Sequence, residues 1–310
     1  MILCIGTTPA TQRVMIFQRL AVDRVNRAVT TLDGIAGKSV NVAKVLKALG
    51  EEPLAAGFLG GERGERLRAG LVARGIAQEF ITVTAPTREC LTVIDRSNGT
   101  VTELVEESRA VAPGDYERLE QIIRRRLADC QAVIMSGSLT PGGPAGFYRR
   151  CTELAHQAGV LPVVDTQGAP LLEALAAGPG LVKPNRFELA ATVGRELKDE
   201  AAVREAMREL HRRGARRVVV TNGKEATLAY DGESFWRSAS APIMAVNPIG
   251  SGDAFTAALV WRLVKGEHLG EACRWAAAAG GANALTLMAG ELEGAEVERL
   301  ADNLTSERLD

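Results

Sequence analysis

The segment Asn247-Pro248-Ile249-Gly250-Ser251-Gly252-Asp253-Ala254-Phe255 carries the sharpest chemistry in the chain. Glycines at 250 and 252 let the backbone turn several N–H groups toward one point. A helical apolar pattern follows through Phe255, Leu259 and Leu263, so a helix N-terminus adds its partial positive charge there. The combination is an anion hole suited to a phosphoryl group in transit. Asp253 falls in the first turn, beside the hole, where the helix dipole is expected to keep it ionised. From there it can accept a proton from an attacking hydroxyl. A plain glycine turn with Asp as a helix-start residue produces the same pattern, and both readings stand on these residues alone.

A second glycine segment reads Gly34-Ile35-Ala36-Gly37-Lys38-Ser39-Val40-Asn41. It nearly spells a phosphate-binding P-loop, but that loop needs Gly five positions before Gly37, where Leu32 stands, and no clear strand leads into it. What remains is a helix start bearing the Gly37 backbone, Lys38 and Asn41, able to hold a polyhydroxylated or anionic ligand. An ordinary Ser-capped helix is the alternative. No G-x-G-x-x-G follows the first apolar run, which excludes a dinucleotide fold.

The elements that must position these residues alternate along the chain. Ile2–Ile5, Ala132–Met135, Val160–Val164, Leu181–Val182 and Arg217–Val220 are short non-alternating apolar runs. Helical patterns begin near Val42, with Gly50 as a stop, and cover Tyr116–Leu127 and Glu200–Arg213. Such alternation predicts an α/β fold with a mostly parallel sheet covered on both faces. The runs end in polar residues: Ser136-Gly137-Ser138, Asp165, Lys183-Pro184-Asn185 and Thr221-Asn222-Gly223. Ligands bind beyond the carboxyl ends of strands in open parallel sheets, so these ends predict a lined cleft. Two stretches, Val14–Asp33 and Arg88–Glu106, look β-like instead. In the second, Asn98-Gly99 between two alternating runs predicts a hairpin over Leu91–Leu104. Both are read as a small β subdomain inserted into one body.

Composition narrows the function classes. Lys+Arg number 37 and Asp+Glu 38, so the net charge of -1 gives no global field for a phosphate backbone. Aromatics are 4%, which disfavours a base-stacking surface. No apolar run approaches the ~20 residues of a membrane span. The start of the chain lacks the basic and apolar regions of a signal peptide, and five scattered cysteines form no CxxC pair. A cytoplasmic protein with reduced thiols is expected.

Taken together, the segments resemble the PfkB carbohydrate kinases of the ribokinase-like superfamily, in the branch of 1-phosphofructokinase and tagatose-6-phosphate kinase. Gly250-Ser251-Gly252-Asp253-Ala254-Phe255 looks like the C-terminal signature and Gly37-Lys38-Ser39-Val40-Asn41 like the N-terminal one. Ser136–Gly142, Val182–Glu188 and Thr221-Asn222-Gly223 match in order between them. The resemblance covers essentially the whole chain. It implies a single ribokinase-like kinase domain over 1–310, a three-layer sandwich with lid segments at about 12–34 and 88–106.

The resemblance also implies roles. Asp253 would be the catalytic base, with Gly250, Ser251 and Gly252 forming the hole. Glu188, with Asn185, would orient Mg²⁺ through waters. Lys183 would approach the ATP phosphates, and Thr221, Gly223 and Lys224 would line the nucleotide side. Gly37, Lys38 and Asn41 would hold sugar hydroxyls, and Arg88 would grip a substrate phosphate, with Arg27 and Ser138 as further candidates and Ser136 beside them. Mg-ATP, a monovalent cation such as K⁺ and a homodimer through the lid are implied with the family. Four departures stand out: Gln12 where the branch has Asp, Ser39 where it has Gly, Ser251 where Ala is usual, and Lys224-Glu225-Ala226 where a second glycine is common. Gln12 is one methylene longer than Asp and can donate as well as accept. It is therefore expected to reach a different acceptor oxygen and to make fructose 1-phosphate a poor substrate. The function expected is ATP-dependent phosphotransfer to a hydroxyl of a sugar phosphate. The alternatives are a kinase of an unphosphorylated sugar or nucleoside, and a non-catalytic sugar-phosphate-binding homologue.

Overall fold

A computed structural model describes residues 1–309. In chain order the strands are β1 (Ile2–Gly6), β2 (Ala10–Phe17), β3 (Thr30–Ala36), β4 (Pro53–Leu59), β5 (Ala77–Thr82), β6 (Arg88–Asp95) and β7 (Thr100–Val105), then β8 (Ala132–Ser136), β9 (Leu161–Asp165), β10 (Leu181–Val182), β11 (Val218–Asn222), β12 (Glu225–Tyr230), β13 (Phe235–Ser238) and β14 (Ser306–Leu309). The helices are α1 (Lys38–Ala48), α2 (Gly61–Ala73), α3 (Pro113–Arg126), α4 (Phe147–Gln157), α5 (Gly168–Leu175), α6 (Arg186–Val193), α7 (Glu200–Arg212), α8 (Ser251–Val264), α9 (Leu269–Ala284) and α10 (Gly294–Ala301).

The large sheet has the order β14-β13-β12-β11-β10-β9-β8-β1-β4-β5. Its strands from β11 to β5 pair in parallel, and β12 to β14 extend it antiparallel. The non-alternating runs are explained by burial on both faces. Ile2 and Cys4 of β1 join a core with α1, α2, α8, α9 and α10, whereas Leu3 and Ile5 join one with α3 to α7. Successive side chains of a strand point to opposite faces, so both must be apolar. The result is the expected three layers.

Two excursions leave the carboxyl ends of this sheet. One carries β2 and β3 between β1 and α1; the other carries β6 and β7 between β5 and α3. They combine into a separate four-stranded sheet, β3-β2-β6-β7, in which β2 and β6 run parallel. The hairpin forms as read, from Cys90 opposite Val105 to Asp95 opposite Thr100, with Gly99 at φ +63° in its turn. The first excursion differs from the continuous stretch expected over Val14–Asp33. Its pairing starts earlier, at Ala10, and residues 18–29 form a loop between β2 and β3. Arginines, Asp23 and Asn26 crowd that loop and interrupt the alternation a strand needs.

Candidate active site

The carboxyl ends of β9, β10 and β11, the starts of α1 and α8 and the inner face of the small sheet enclose a cleft of about 330 Å³. Lining residues include Gly37, Lys38, Asn41, Asp165, Lys183, Gly250, Gly252 and Asp253. The parallel topology explains the convergence, because every β-to-α turn opens at the same edge of the sheet.

Asp253 stands in the first turn of α8, only 7% exposed. Its Oδ2 accepts a hydrogen bond from Asn41 Nδ2 at 2.8 Å. Burial pushes the carboxyl up to about 6, against the pull of nearby Lys38 and the Asn41 bond. Desolvation thus works against the helix dipole, and the group is left mostly ionised at neutral pH yet close to the pH at which a general base works best. Asn41 Oδ1 is buried with no partner, an acceptor facing a group the protein does not supply.

The two glycines of the hole do different things. Gly250 has φ +86°, and a Cβ there would lie 2.8 Å from Ala289 Cβ and 2.9 Å from Gly290 N. Gly252 has ordinary helical backbone, and a Cβ there would meet nothing within 4 Å. Only a ligand in the cleft therefore asks for glycine at 252. We expect Gly252→Ala to raise the melting temperature slightly, since Ala is favoured over Gly by ~1 kcal/mol inside helices, while cutting turnover. Calorimetry beside steady-state kinetics checks both directions; a variant as active as wild type would remove Gly252 from the hole.

Around Asp165 lies a charge network. Asp165 Oδ1 is 3.4 Å from Lys38 Nζ, and its Oδ2 is 3.3 Å from Lys183 Nζ and accepts from Thr256 Oγ1 at 2.8 Å. Burial works to raise this carboxyl, but the two lysines and the Thr256 bond outweigh it and hold it below the usual carboxylate range. Lys38 Nζ is also 3.3 Å from Glu188 Oε1, and its own proton is held more tightly than usual, mainly by Asp165. Asn185 and Glu188 cap each other at the start of α6: Glu188 N–H donates to Asn185 Oδ1 at 2.9 Å, and Asn185 N–H to Glu188 Oε2 at 2.8 Å. Among the described residues no group of three or more His, Cys, Asp or Glu side chains could hold a metal directly. The hard oxygens of Glu188 and Asp165 suit a Mg²⁺ ion reached through waters.

At the small-sheet side, Arg88 lines the cleft while its Nε donates to the Thr8 carbonyl at 3.1 Å. Gln12 also lines it, buried, but its amide is engaged within the protein. Its Nε2 donates to Thr92 Oγ1 at 3.1 Å, and its Oε1 accepts from Ala289 N–H at 3.3 Å. Ser39 turns its Oγ toward Gly6, where a Cβ would come within 2.2 Å of it.

Thr221 and Asn185 line the cleft as well. Several residues singled out in the sequence do not. Arg27 is exposed in the 18–29 loop; Ser138 is exposed and offers its carbonyl to Thr7. Ser136 is buried without a partner, Gly223 and Lys224 sit exposed in the β11–β12 turn, and Ser251 Oγ faces Asn283 Nδ2 at 3.3 Å. Conversely, Cys90, Glu103 and Ala289 line the cleft without having been singled out, and Asp165 does so without having been given a role. Hairpin alternation could have found Glu103, since Cys90 pairs with Val105 and residues two apart share a face. Asp165 was visible as a polar strand end, and Ala289 carried no signal.

A family model described as pfkB family carbohydrate kinase matches residues 1–292. The chain belongs to that family. It is accordingly a sugar kinase. A pfkB relative, the tagatose-6-phosphate kinase of Staphylococcus epidermidis, is 28% identical over 295 residues, covering 94% of each chain. The Thermotoga maritima structure described as "Possible 1-phosphofructokinase" superposes with a TM-score of 0.91 at 25% identity, covering 100% of this chain and 99% of that one. Phosphofructokinase-2 of Escherichia coli, solved with substrates and products, gives 0.88 at 27% identity over 97% and 98%. That protein has also been solved with potassium and as a tetrameric inhibited form. The three-layer architecture of the pfkB relatives is the one expected from the sequence.

Proposed function

We propose that this cleft moves the γ-phosphoryl group of Mg-ATP onto a free hydroxyl of a sugar phosphate, with fructose 1-phosphate and tagatose 6-phosphate as the first acceptors to test. The carrying observation is the meeting of buried Asp253, the unpartnered Asn41 oxygen and the open space at Gly252 in one corner of the cleft. Asn41 Oδ1 accepts from a neighbouring hydroxyl of the acceptor, and Asp253 Oδ takes the proton of the attacking hydroxyl as its oxygen moves in line. The N–H groups at the start of α8 face the charge that builds on the equatorial oxygens. Mg²⁺, when bound, neutralises phosphate charge, and Glu188, Asn185 and Asp165 would orient its waters. Lys183 and Lys38 offset the remaining negative charge, and Thr221 borders the nucleotide. Arg88 supplies a planar fork for the acceptor's own phosphate.

Three further assignments belong to this reading. The small sheet is a lid within one kinase domain, excluding water from the transfer. Its outer face, with Leu104 53% exposed on the edge strand β7, joins two copies into a dimer. Sedimentation of Leu104→Arg tests that contact, and a wild type that sediments as a monomer would remove it. Potassium activation belongs to the same reading, since a monovalent cation is implied with the family and Escherichia coli phosphofructokinase-2 has been solved with potassium; rates in potassium against tetramethylammonium decide it. No helix is long and apolar enough to cross a membrane, and we place the enzyme in the cytoplasm.

The main test is ADP release from Mg-ATP across a panel of sugars and sugar phosphates. Turnover of unphosphorylated sugars alone would overturn the acceptor class. Asp253 adds a pH signature: the base must be unprotonated, so activity is lost as pH falls. We expect the acid limb of kcat/KM near pH 6, moving to higher pH in Lys38→Met, because an opposing positive charge is gone. A limb that stays put in that variant would detach it from Asp253.

A further inference from the structure

We propose that Gln12 is a positioning residue that ties the small sheet to the wall of the anion hole, so that the two are held in register; it does not read the acceptor's hydroxyls. The inference rests on the phosphotransfer reading above. Residues 287–290 are the connection. Leu287 and Met288 pack into the small sheet's own apolar cluster, with Val14, Ile16 and Ile94. Met288 is pressed so closely on β3 that a Cβ at Gly34 would lie 2.3 Å from its Cε. The next two residues belong to the hole. Ala289 and Gly290 wall Gly250, and Gly290 abuts Asn41, whose Cα would be 2.8 Å from a Cβ at 290. Gly290 N–H donates to Asn283 Oδ1 at 2.7 Å, and Asn283 Nδ2 donates to the Ile249 carbonyl at 3.0 Å.

Gln12 spans these halves. One end is fixed on β6 through the fully buried Thr92, and the other accepts the Ala289 N–H. Lys44 holds the same residue from the far side: its Nζ donates to the Ala289 carbonyl at 2.6 Å and to the Ile35 carbonyl of β3 at 3.2 Å. Ala289 is thus gripped at its N–H from β2 and at its C=O from α1. A tilt of the small sheet relative to the large one must pull on Gly250 through these bonds. An aspartate at position 12, one methylene shorter, could not keep both contacts.

The experiment compares Gln12→Met, Thr92→Val and the double variant. Thr92 does not line the cleft, so it tests the tie without touching substrate. Hydrogen exchange at the Ala289 amide is the readout that a sugar contact would not move. We expect exchange about fivefold faster in Gln12→Met, since one net hydrogen bond is worth ~1 kcal/mol. With it, kcat should fall about tenfold from displacement of the hole, with acceptor KM within about twofold. Thr92→Val should show the same pattern more weakly, and the double variant no more than Gln12→Met alone, because both act through one bridge. A raised acceptor KM with unchanged Ala289 exchange would overturn the proposal, as would faster exchange with unchanged kcat. If Gln12→Met does not fold, Thr92→Val carries the decision. If wild type turns over no sugar phosphate, the functional reading fails and the exchange measurement still judges the tie.

Discussion

Asp253→Asn is expected to lower kcat by about 10²–10⁴-fold, the usual cost of losing a general base. The substitution keeps an oxygen for Asn41 Nδ2, so the corner should keep its shape and both substrates their affinity within a few-fold. Stability should move the opposite way. Burial raises Asp253 from the ordinary aspartate value of 3.8 to about 6, so the folded state binds its proton more tightly than the unfolded chain does. Its contribution is fully present at low pH and is lost as pH rises toward and past 6. At neutral pH the buried charge therefore costs roughly 3 kcal/mol, which an amide avoids. A more stable, inactive protein is the expected combination, read by thermal melts beside ADP release. Retention of more than a tenth of wild-type kcat would take Asp253 out of its assigned role.

Arg88→Ala is expected to act on binding rather than on chemistry. A charge-assisted contact to a phosphate is worth roughly 1.5–3 kcal/mol, or about 10–150-fold in acceptor KM. The KM for ATP should change little. The guanidinium is already seated by the Thr8 carbonyl at 3.1 Å, so it meets the acceptor without first being ordered. If the best acceptor is used equally well by the variant, that acceptor is not held through a phosphate at this position. Its specificity would then rest on other groups of the cleft, Asn41 and Glu103 among them.

What the sequence could and could not say follows from the physics of each element. The buried strands were readable because burial on both faces forces unbroken apolar runs such as Ile2–Ile5 and Ala132–Met135. Strand β4, Pro53-Leu54-Ala55-Ala56-Gly57-Phe58-Leu59, escaped because Ala, Gly and Pro are weak strand formers that only the neighbouring strands select. The antiparallel extension β12 to β14 is short and polar at its edge, with no pattern of its own. In the cleft, backbone devices were legible: glycines at 37, 250 and 252 have fixed local spacing, whereas the mutual capping of Asn185 and Glu188 was not read from the sequence. Side-chain destinations were not legible. Nothing local to Gln12 indicates that its amide is met by residues 80 and 277 positions away. Lys38, expected among the sugar ligands, is drawn to Asp165 and Glu188 by charges brought from two other strand ends. Arg27 fell outside the cleft because its segment is a loop where a strand was expected.

Ser39 carries an implication for how this site can change over time. Its hydroxyl occupies the notch left by the missing side chain of Gly6, without a hydrogen-bond partner. The two positions are therefore one historical unit. With Ser39 present, alanine at 6 would put its Cβ 2.2 Å from the Ser39 oxygen; with glycine at 39, the nearest remaining neighbour would be the Ser136 carbonyl at 3.3 Å. The same substitution at position 6 is thus barred on one background and tolerable on the other. A lineage moving between glycine and serine at the start of α1 has an order imposed on it: residue 39 must become small before residue 6 can grow, and residue 6 must be bare before residue 39 can carry a hydroxyl.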